Sequence, residues 1–351
     1  MSNEVSRREF LEVGAGTGAL FLAEGLWPAR AMAQGAVAIP EAERIVVTVV
    51  TDNLADATRP NVKIARRPAS VTSPLDAAMH AEHGLAYHVE TVVGGRAHGL
   101  LFDFGTQASG VLRNFDLLGL DLRGVEALAL SHDHWDHQAA FLELMQAKRA
   151  AWRPDLPFYV GEKVFAGTYA KRPPNDQMVP MSVLSRQAIE GVGLVKLVEV
   201  TTPTPVVPGA YLTGRVARVT DYETIPAMFL MKQGDQYVQE EFFGEQAVVM
   251  HAKGKGLVVL TACAHRGMVN TLKHAQKMTG IEKVHAIIGG FHLTGAKPEV
   301  IAKTIADVKA MRPDYVVPTH CTGFEALNVI AREMPDQFIL NTAGTRYFIE
   351  A

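Results

Sequence analysis

Two cysteines in 351 residues are too few for a disulfide-stapled scaffold or a four-cysteine zinc module. Cationic charge is not in excess either. Thirty-four Lys and Arg against 37 Asp and Glu give a formal net charge of −3. Nothing is left to neutralise a phosphate backbone, so nucleic acid is not expected as a main partner. No stretch is apolar for the roughly 20 residues that a membrane span needs; the first candidate is interrupted by Gly14, Gly16, Gly18 and Glu24. A Gly-x-Ser-x-Gly elbow and a phosphate-cradling Gly-Lys-Ser/Thr loop are both missing, which removes two common routes to nucleophilic and phosphoryl chemistry. What remains is 48% hydrophobic and 20% charged residues, enough for a sizeable core, and 13 histidines whose placement is the informative feature.

Ser6-Arg7-Arg8-Glu9-Phe10-Leu11 resembles a twin-arginine export signal. A weakly apolar, Gly-rich stretch over 13–22 and the small-residue end Ala31-Met32-Ala33 extend the likeness, with cleavage expected after Ala33. Residues 1–33 then act as an address and 34–351 as the working domain. The expected location is the periplasm or the cell exterior, reached through the twin-arginine translocation machinery. An amphipathic N-terminal helix is the alternative reading of the same residues.

Along the mature chain, the β-branched run 44–51 predicts a strand. Residues 86–93 and 99–104 predict a strand pair joined at Gly94-Gly95, and 125–130 a short buried strand. Helical apolar spacing covers 111–118 and 139–149. The rhythm breaks from about 160 to 245, through Pro173-Pro174 and the Thr/Pro run 201–208, and this stretch reads as an insertion and a lid, not a separate domain. Strand–helix alternation resumes at 256–261, 268–278, 284–288, 298–311 and 314–317.

Ser131-His132-Asp133-His134-Trp135-Asp136-His137 places three imidazoles and two carboxylates between a predicted strand and a predicted helix. Residues at i and i+2 of an extended chain share a side, so His132 and His134 can hold one cation. A turn into the following helix would swing Asp136 and His137 towards a second. Neutral imidazole and carboxylate are the ligands that zinc and similar divalent ions favour. A solvated polar loop is the bland alternative.

With this motif the sequence resembles the metallo-β-lactamase superfamily, whose hallmark is His-x-His-x-Asp-His. The resemblance implies a four-layer αββα sandwich of α/β class, with metals where the loops after the strands converge. It assigns His132, His134 and His265 (in Cys263-Ala264-His265-Arg266-Gly267) to the first metal. Asp136, His137 and His320 (in Pro318-Thr319-His320-Cys321-Thr322-Gly323) fall to the second. Asp103, in Leu100-Leu101-Phe102-Asp103-Phe104-Gly105, is expected to orient ligands by hydrogen bonds. Thr51-Asp52-Asn53, Glu82-His83-Gly84-Leu85, Thr213-Gly214, Asn270-Thr271 and Gly289-Gly290-Phe291-His292-Leu293 narrow the likeness to one branch. That branch contains proteins named for the dihydropterin–ribofuranosylaminobenzene phosphate synthase of methanopterin biosynthesis. Where many members carry a bridging aspartate, this chain has Gly-Gly-Phe-His, leaving His292 open as ligand, substrate contact or proton shuttle. Arg266 is read as an anion contact or an external salt bridge, and His83 as a neighbour of the site. Cys263 and Cys321 flank candidate ligands and read as small buried hydrophobes, with metal ligation as the alternative and a disulfide between them allowed in an oxidising compartment. His80, His88, His98, His251, His274 and His285 lack ligand spacing, and Trp135 reads as a packing residue.

A zinc-type pair would bring the pKa of a bound water towards about 7 and polarise a carbonyl or phosphoryl oxygen, with Asp136 orienting the attack and His292 assisting. The expected function is an exported hydrolase of a small, ester-like, anionic substrate, with two Zn2+ or other divalent ions. A pterin-condensing synthase and a non-catalytic exported metal binder are the alternatives.

Overall fold

In the computed structural model, which describes residues 35–68 and 78–351, β-branched alternation in Arg44–Thr51 and Ala86–Val93 makes two antiparallel strands at the middle of an eight-stranded sheet. The sheet runs in the order Val195–Val200, Leu156–Gly161, Val125–Ala129, Arg96–Phe102, Ala86–Val93, Arg44–Thr51, Arg346–Glu350 and Ala65–Arg66. A seven-stranded sheet is built from Thr204–Val207, Ala210–Leu212, Val248–Ala252, Gly256–Leu260, Val284–Gly290 and Tyr315–Thr319, with Glu41–Ala42 alongside Val248–Ala252. The segment read as an export signal lies outside the described residues.

Period-two side-chain direction explains the layering. Ile45, Val47, Val49, Leu100 and Phe102 of the first sheet interdigitate with Val248, Met250, Val258, Leu260 and Ile288 of the second, forming one core between the sheets. The opposite face of the first sheet, with Val50, Leu101 and Leu128, is covered by the helices Ala108–Leu118, Phe141–Ala147 and Arg186–Gly191. Val249, Val259 and Ile287 of the second sheet are covered by Met268–Thr279, Pro298–Ala310 and Phe324–Glu333. The result is the four-layer αββα sandwich that the resemblance implies. Helices end where local chemistry dictates: Gly119 and Gly280 take left-handed conformations as C-caps.

The stretch 160–245 contributes to three sheets. Val195–Val200 pairs in parallel with Leu156–Gly161, and Thr204–Val207 and Ala210–Leu212 form the edge of the second sheet. Thr168–Arg172, Gln177–Pro180, Phe229–Gln233 and Gln236–Gln239 make a separate four-stranded antiparallel sheet. Its own small core includes Ala170, Met181, Phe229 and Phe242, against which Trp135 packs.

Truncation of fully buried Leu100 to Ala should remove about 2–5 kcal/mol of unfolding free energy, by lost burial and a residual cavity. Val219→Ala, at a position 63% exposed, should stay within about 0.5 kcal/mol. Urea unfolding measures both; similar losses at the two positions would contradict the layering.

Candidate metal centre

The strand Val125–Ala129 delivers the histidine motif to the sheet edge, and a short helix, Trp135–Gln138, starts inside it. His132 and His134 lie on one side of the chain. Asp133 faces the other way and accepts from Thr168 Oγ1 at 2.7 Å, which ties the loop to the small sheet. Burial drives the Asp133 carboxyl up to about 7, against that hydrogen bond. The turn at Trp135 puts Asp136 Oδ2 3.5 Å from His137 Nε2.

Among the described residues, ligand atoms of His132, His134 and His265 come within 4.8 Å of one another, and so do those of His83, Asp136 and His320. A third such group joins His132 and His137 to Cys263, and a fourth joins Cys263 to His292 and Cys321. His320 Nε2 is 3.0 Å and His83 Nε2 is 3.5 Å from Asp136 Oδ2. The two histidine groups adjoin, because the His137 ring centre is 4.3 Å from that of His132 and 5.0 Å from that of His320.

Whether these residues suit a cation is decided by their nitrogens. Nε2 of His132 and His134 and both ring nitrogens of His265 are buried without a hydrogen-bond partner. Leaving such groups unpaired away from water is costly, and a cation shared among them removes the cost. Burial pushes the pKa of all three rings down, His134 to about 3. They are therefore neutral and hold lone pairs at physiological pH, the form that binds metal.

Asp103 sets their orientation. Its carboxylate accepts from the Ser131 amide at 2.7 Å, the Ser131 hydroxyl at 2.7 Å and His137 Nδ1 at 2.8 Å. Ser131 Oγ in turn lies 2.9 Å from His132 Nδ1. Protons on both Nδ1 atoms turn both Nε2 atoms inward, with a lone pair on neutral His132 and one on His137 once its second proton has left.

Other buried carboxylates do the same for the backbone. Asp52 accepts from the His320 amide at 3.0 Å and from Asn341 at 2.7 Å, while Asn53 donates to the His320 carbonyl at 3.0 Å. Glu245 accepts from the amides of His265 and Arg266 at 2.6 and 2.7 Å, and burial brings its pKa to about 7. Glu82 accepts from the amides of Thr106 and Gln107 at the start of Ala108–Leu118. The sequence motifs containing Asp52, Asn53 and Glu82 thus have a mechanical reason. Glu245 lies 20 residues before His265 in a stretch without periodicity, and no pattern pointed to it.

Phe242 stacks on His265 with ring centres 4.0 Å apart, and Phe229 lies 5.2 Å from His134, so the small sheet supplies an apolar wall over the first group. His83 is exposed and stacks on His320 at 4.8 Å. His292 sits 4.1 Å from His265, and its buried Nδ1 has no partner. Arg266 supports the loop and does not reach out to an anion. Its guanidinium is buried and donates to the carbonyls of Val216 and Glu241. Cys263 and Cys321 are both free and buried. Of the remaining histidines, His98 pairs with Glu126 at 3.1 Å and His285 with Asp314 at 2.6 Å.

A cavity of about 370 Å³ opens beside His265 and His292, walled by Tyr222, Thr224, Leu293 and Lys297. A larger concavity of about 820 Å³ over Lys63, Lys283 and Arg312 includes none of the histidines. Chemistry, not size, selects the smaller one.

Burial disfavours charge on His137, yet Asp136 and then Asp103 outweigh it and hold its pKa up at about 10. Below that pH the metal-free ring is doubly protonated, with one proton on the nitrogen that faces Asp136 and Cys263. A cation must displace it, so affinity should rise with pH towards about 10. Zinc titration calorimetry at fixed alkaline pH, in buffers of different ionisation enthalpy, should report release of about one proton or more per protein. Buffer-independent heats would contradict this.

No family profile matches the sequence. The 7,8-dihydropterin-6-methyl-4-(β-D-ribofuranosyl)-aminobenzene-5′-phosphate synthase of Methanocaldococcus jannaschii is 28% identical over 266 residues, 75% of this chain and 89% of the relative. An uncharacterized protein of the same archaeon is 25% identical over 258 residues, 72% of this chain and 88% of the relative. A solved metal-dependent hydrolase of the β-lactamase superfamily superposes with a TM-score of 0.66 at 21% identity, covering 86% of this chain and 98% of that one. The chain has the mixed α/β, sheet-rich fold of the metallo-β-lactamases, with clusters of histidine and aspartate at its sheet edge.

Proposed function

We propose that the protein is an exported metal-dependent hydrolase of a small ester-like substrate, working with a pair of zinc-type cations. The observation that carries the reading is the convergence of unpartnered imidazole nitrogens from His132, His134 and His265 beside the Asp136–His137–His320 group. One cation would be held by the first three residues and the second by the other three. When bound, such cations activate water near neutral pH and polarise a carbonyl or phosphoryl group.

The chain's own residues supply the rest. The adjacent cavity, about 370 Å³, falls in the range of small-molecule sites. Lys297 lines it opposite in charge to Glu223 and can meet an anionic group of the substrate. Asp136 Oδ2, shared among His83, His137 and His320, is the acceptor placed to orient attack. His292 lines the cavity with an unpartnered Nδ1 and can hold or pass the leaving group's proton. Phe229 and Phe242 exclude water from one side, which strengthens every charge interaction within. The Arg-Arg motif at Arg7-Arg8 supports work in the periplasm or outside the cell.

The likeness to the archaeal synthase favours a second reading, a pterin-condensing transferase using the same centre. Protein purified from the exported fraction should contain zinc by elemental analysis. It should hydrolyse generic phosphoesters or lactones, lose that activity to a chelator and regain it with zinc. His134→Ala should lack the activity while keeping its far-ultraviolet dichroism. Undiminished hydrolysis by His134→Ala would overturn the proposal. Turnover only of a pterin pyrophosphate with an aminobenzene riboside would select the synthase.

A further inference from the structure

Cys263 is placed where a small buried hydrophobe has no reason to be. It follows the strand Gly256–Leu260 into the loop that also carries His265. Its sulfur lies 3.2 Å from His137 Nε2 and within a ligand group that also contains His132. An imidazole nitrogen and a thiolate sulfur on one tetrahedral zinc stand about 3.5 Å apart, given bonds of about 2.0 and 2.3 Å. The observed spacing is close to that value. Since His137 Nδ1 donates to Asp103, the lone pair of the neutral ring at Nε2 is the one that faces the sulfur.

From these contacts we infer that Cys263 is a metal ligand, a thiolate set between the His132 side and the His137 side of the centre. The inference rests on the metal-dependent reading above. Charge supports it. Asp136 is the one carboxylate in the four ligand groups of the described residues. Two divalent cations held by imidazoles and a single carboxylate would leave a large buried positive charge, which is expensive in a low-dielectric setting. A thiolate offsets part of it. As the sulfur–metal bond forms, the thiol proton leaves to solvent, since thiolate is the ligating form.

The neighbouring strand makes room for the other cysteine, Cys321. Val284–Gly290 ends in two glycines, and a Cβ on Gly290 would fall 2.3 Å from the Ala262 carbonyl oxygen and 2.7 Å from Cys321 Sγ. No side chain can enter there. Cys321 differs from Cys263 in its partners. Its sulfur contacts the Cys263 carbonyl at 3.6 Å and shares a group with Cys263 and His292, but none with His132 or His137. Thiolate ligation also biases the choice of metal towards zinc and away from magnesium or manganese.

Cobalt(II) substitution tests the inference directly. The cobalt-loaded full chain should show a near-ultraviolet thiolate-to-cobalt charge-transfer band, kept in Cys321→Ser and lost in Cys263→Ser. Zinc affinity should fall at least about tenfold in Cys263→Ser. Should that variant misfold, zinc K-edge absorption of the wild-type protein provides the second measurement, with a sulfur scatterer at about 2.3 Å expected. Cobalt bound with visible d–d absorption but no charge-transfer band would overturn the role of Cys263 and leave the metal centre standing. A band that persists without Cys263, or vanishes only without Cys321, would overturn it equally. Failure to bind cobalt or zinc at all would overturn the metal-dependent reading and this inference together.

Discussion

Three hydrogen bonds to the buried carboxylate of Asp103 hold the centre in shape. They come from the Ser131 amide, the Ser131 hydroxyl and His137 Nδ1. Because one carboxylate fixes both the backbone of the motif and the tautomer of one of its rings, the inward direction of the lone pairs follows from it. Ser131 passes the same constraint to His132. Without such partners, neutral imidazoles packed this closely would turn to find water or one another. Here they are locked facing a common space, which suits a cation that displaces the proton held by His137.

The surrounding fold bears the backbone cost of this arrangement. Asp103, Ala264, His292 and His320 all have positive φ, between 44° and 62°, although none is glycine. Such conformations cost about 1–3 kcal/mol each and persist where neighbours over-determine them. Asp52, Asn53 and Glu245 are those neighbours, gripping the amides and carbonyl beside His320 and His265. Two sheets packed through one apolar core supply the rigid edges from which the loops project. The small sheet of the 168–180 and 229–239 segments then closes one side with aromatic rings. Strain, satisfied amides and unsatisfied imidazoles coincide at one place, which is the physical signature of a site built for a ligand.

Much of this was legible in the sequence, and the reasons are particular. His132 and His134 could be paired because strand geometry puts i and i+2 on one side, and the turn at Trp135 follows from the helix that begins there. The strands at 44–51 and 86–93 announced themselves by β-branched runs. Other parts depended on tertiary contacts that leave no local trace. Val195–Val200 and the short Pro-containing strand Thr204–Val207 belong to the main sheets, yet half-buried edge strands carry little periodicity. Glu245 acts only because the chain returns to His265. Arg266 looked like an anion contact from its position beside a ligand candidate, whereas its guanidinium turns to the carbonyls of Val216 and Glu241. Cys263 read as a hydrophobe because its type is usually one, and only its nearness to His137 sets it apart.

The central claim is that imidazoles from three separate loops share bound cations. Anomalous diffraction at the zinc edge, from crystals grown or soaked with zinc, tests it most directly. The account predicts a strong peak about 2.0–2.1 Å from nitrogens of His132, His134 and His265, with a second beside Asp136, His137 and His320. Ordered side chains with no peak among them, or zinc bound only at other surface sites, would contradict it.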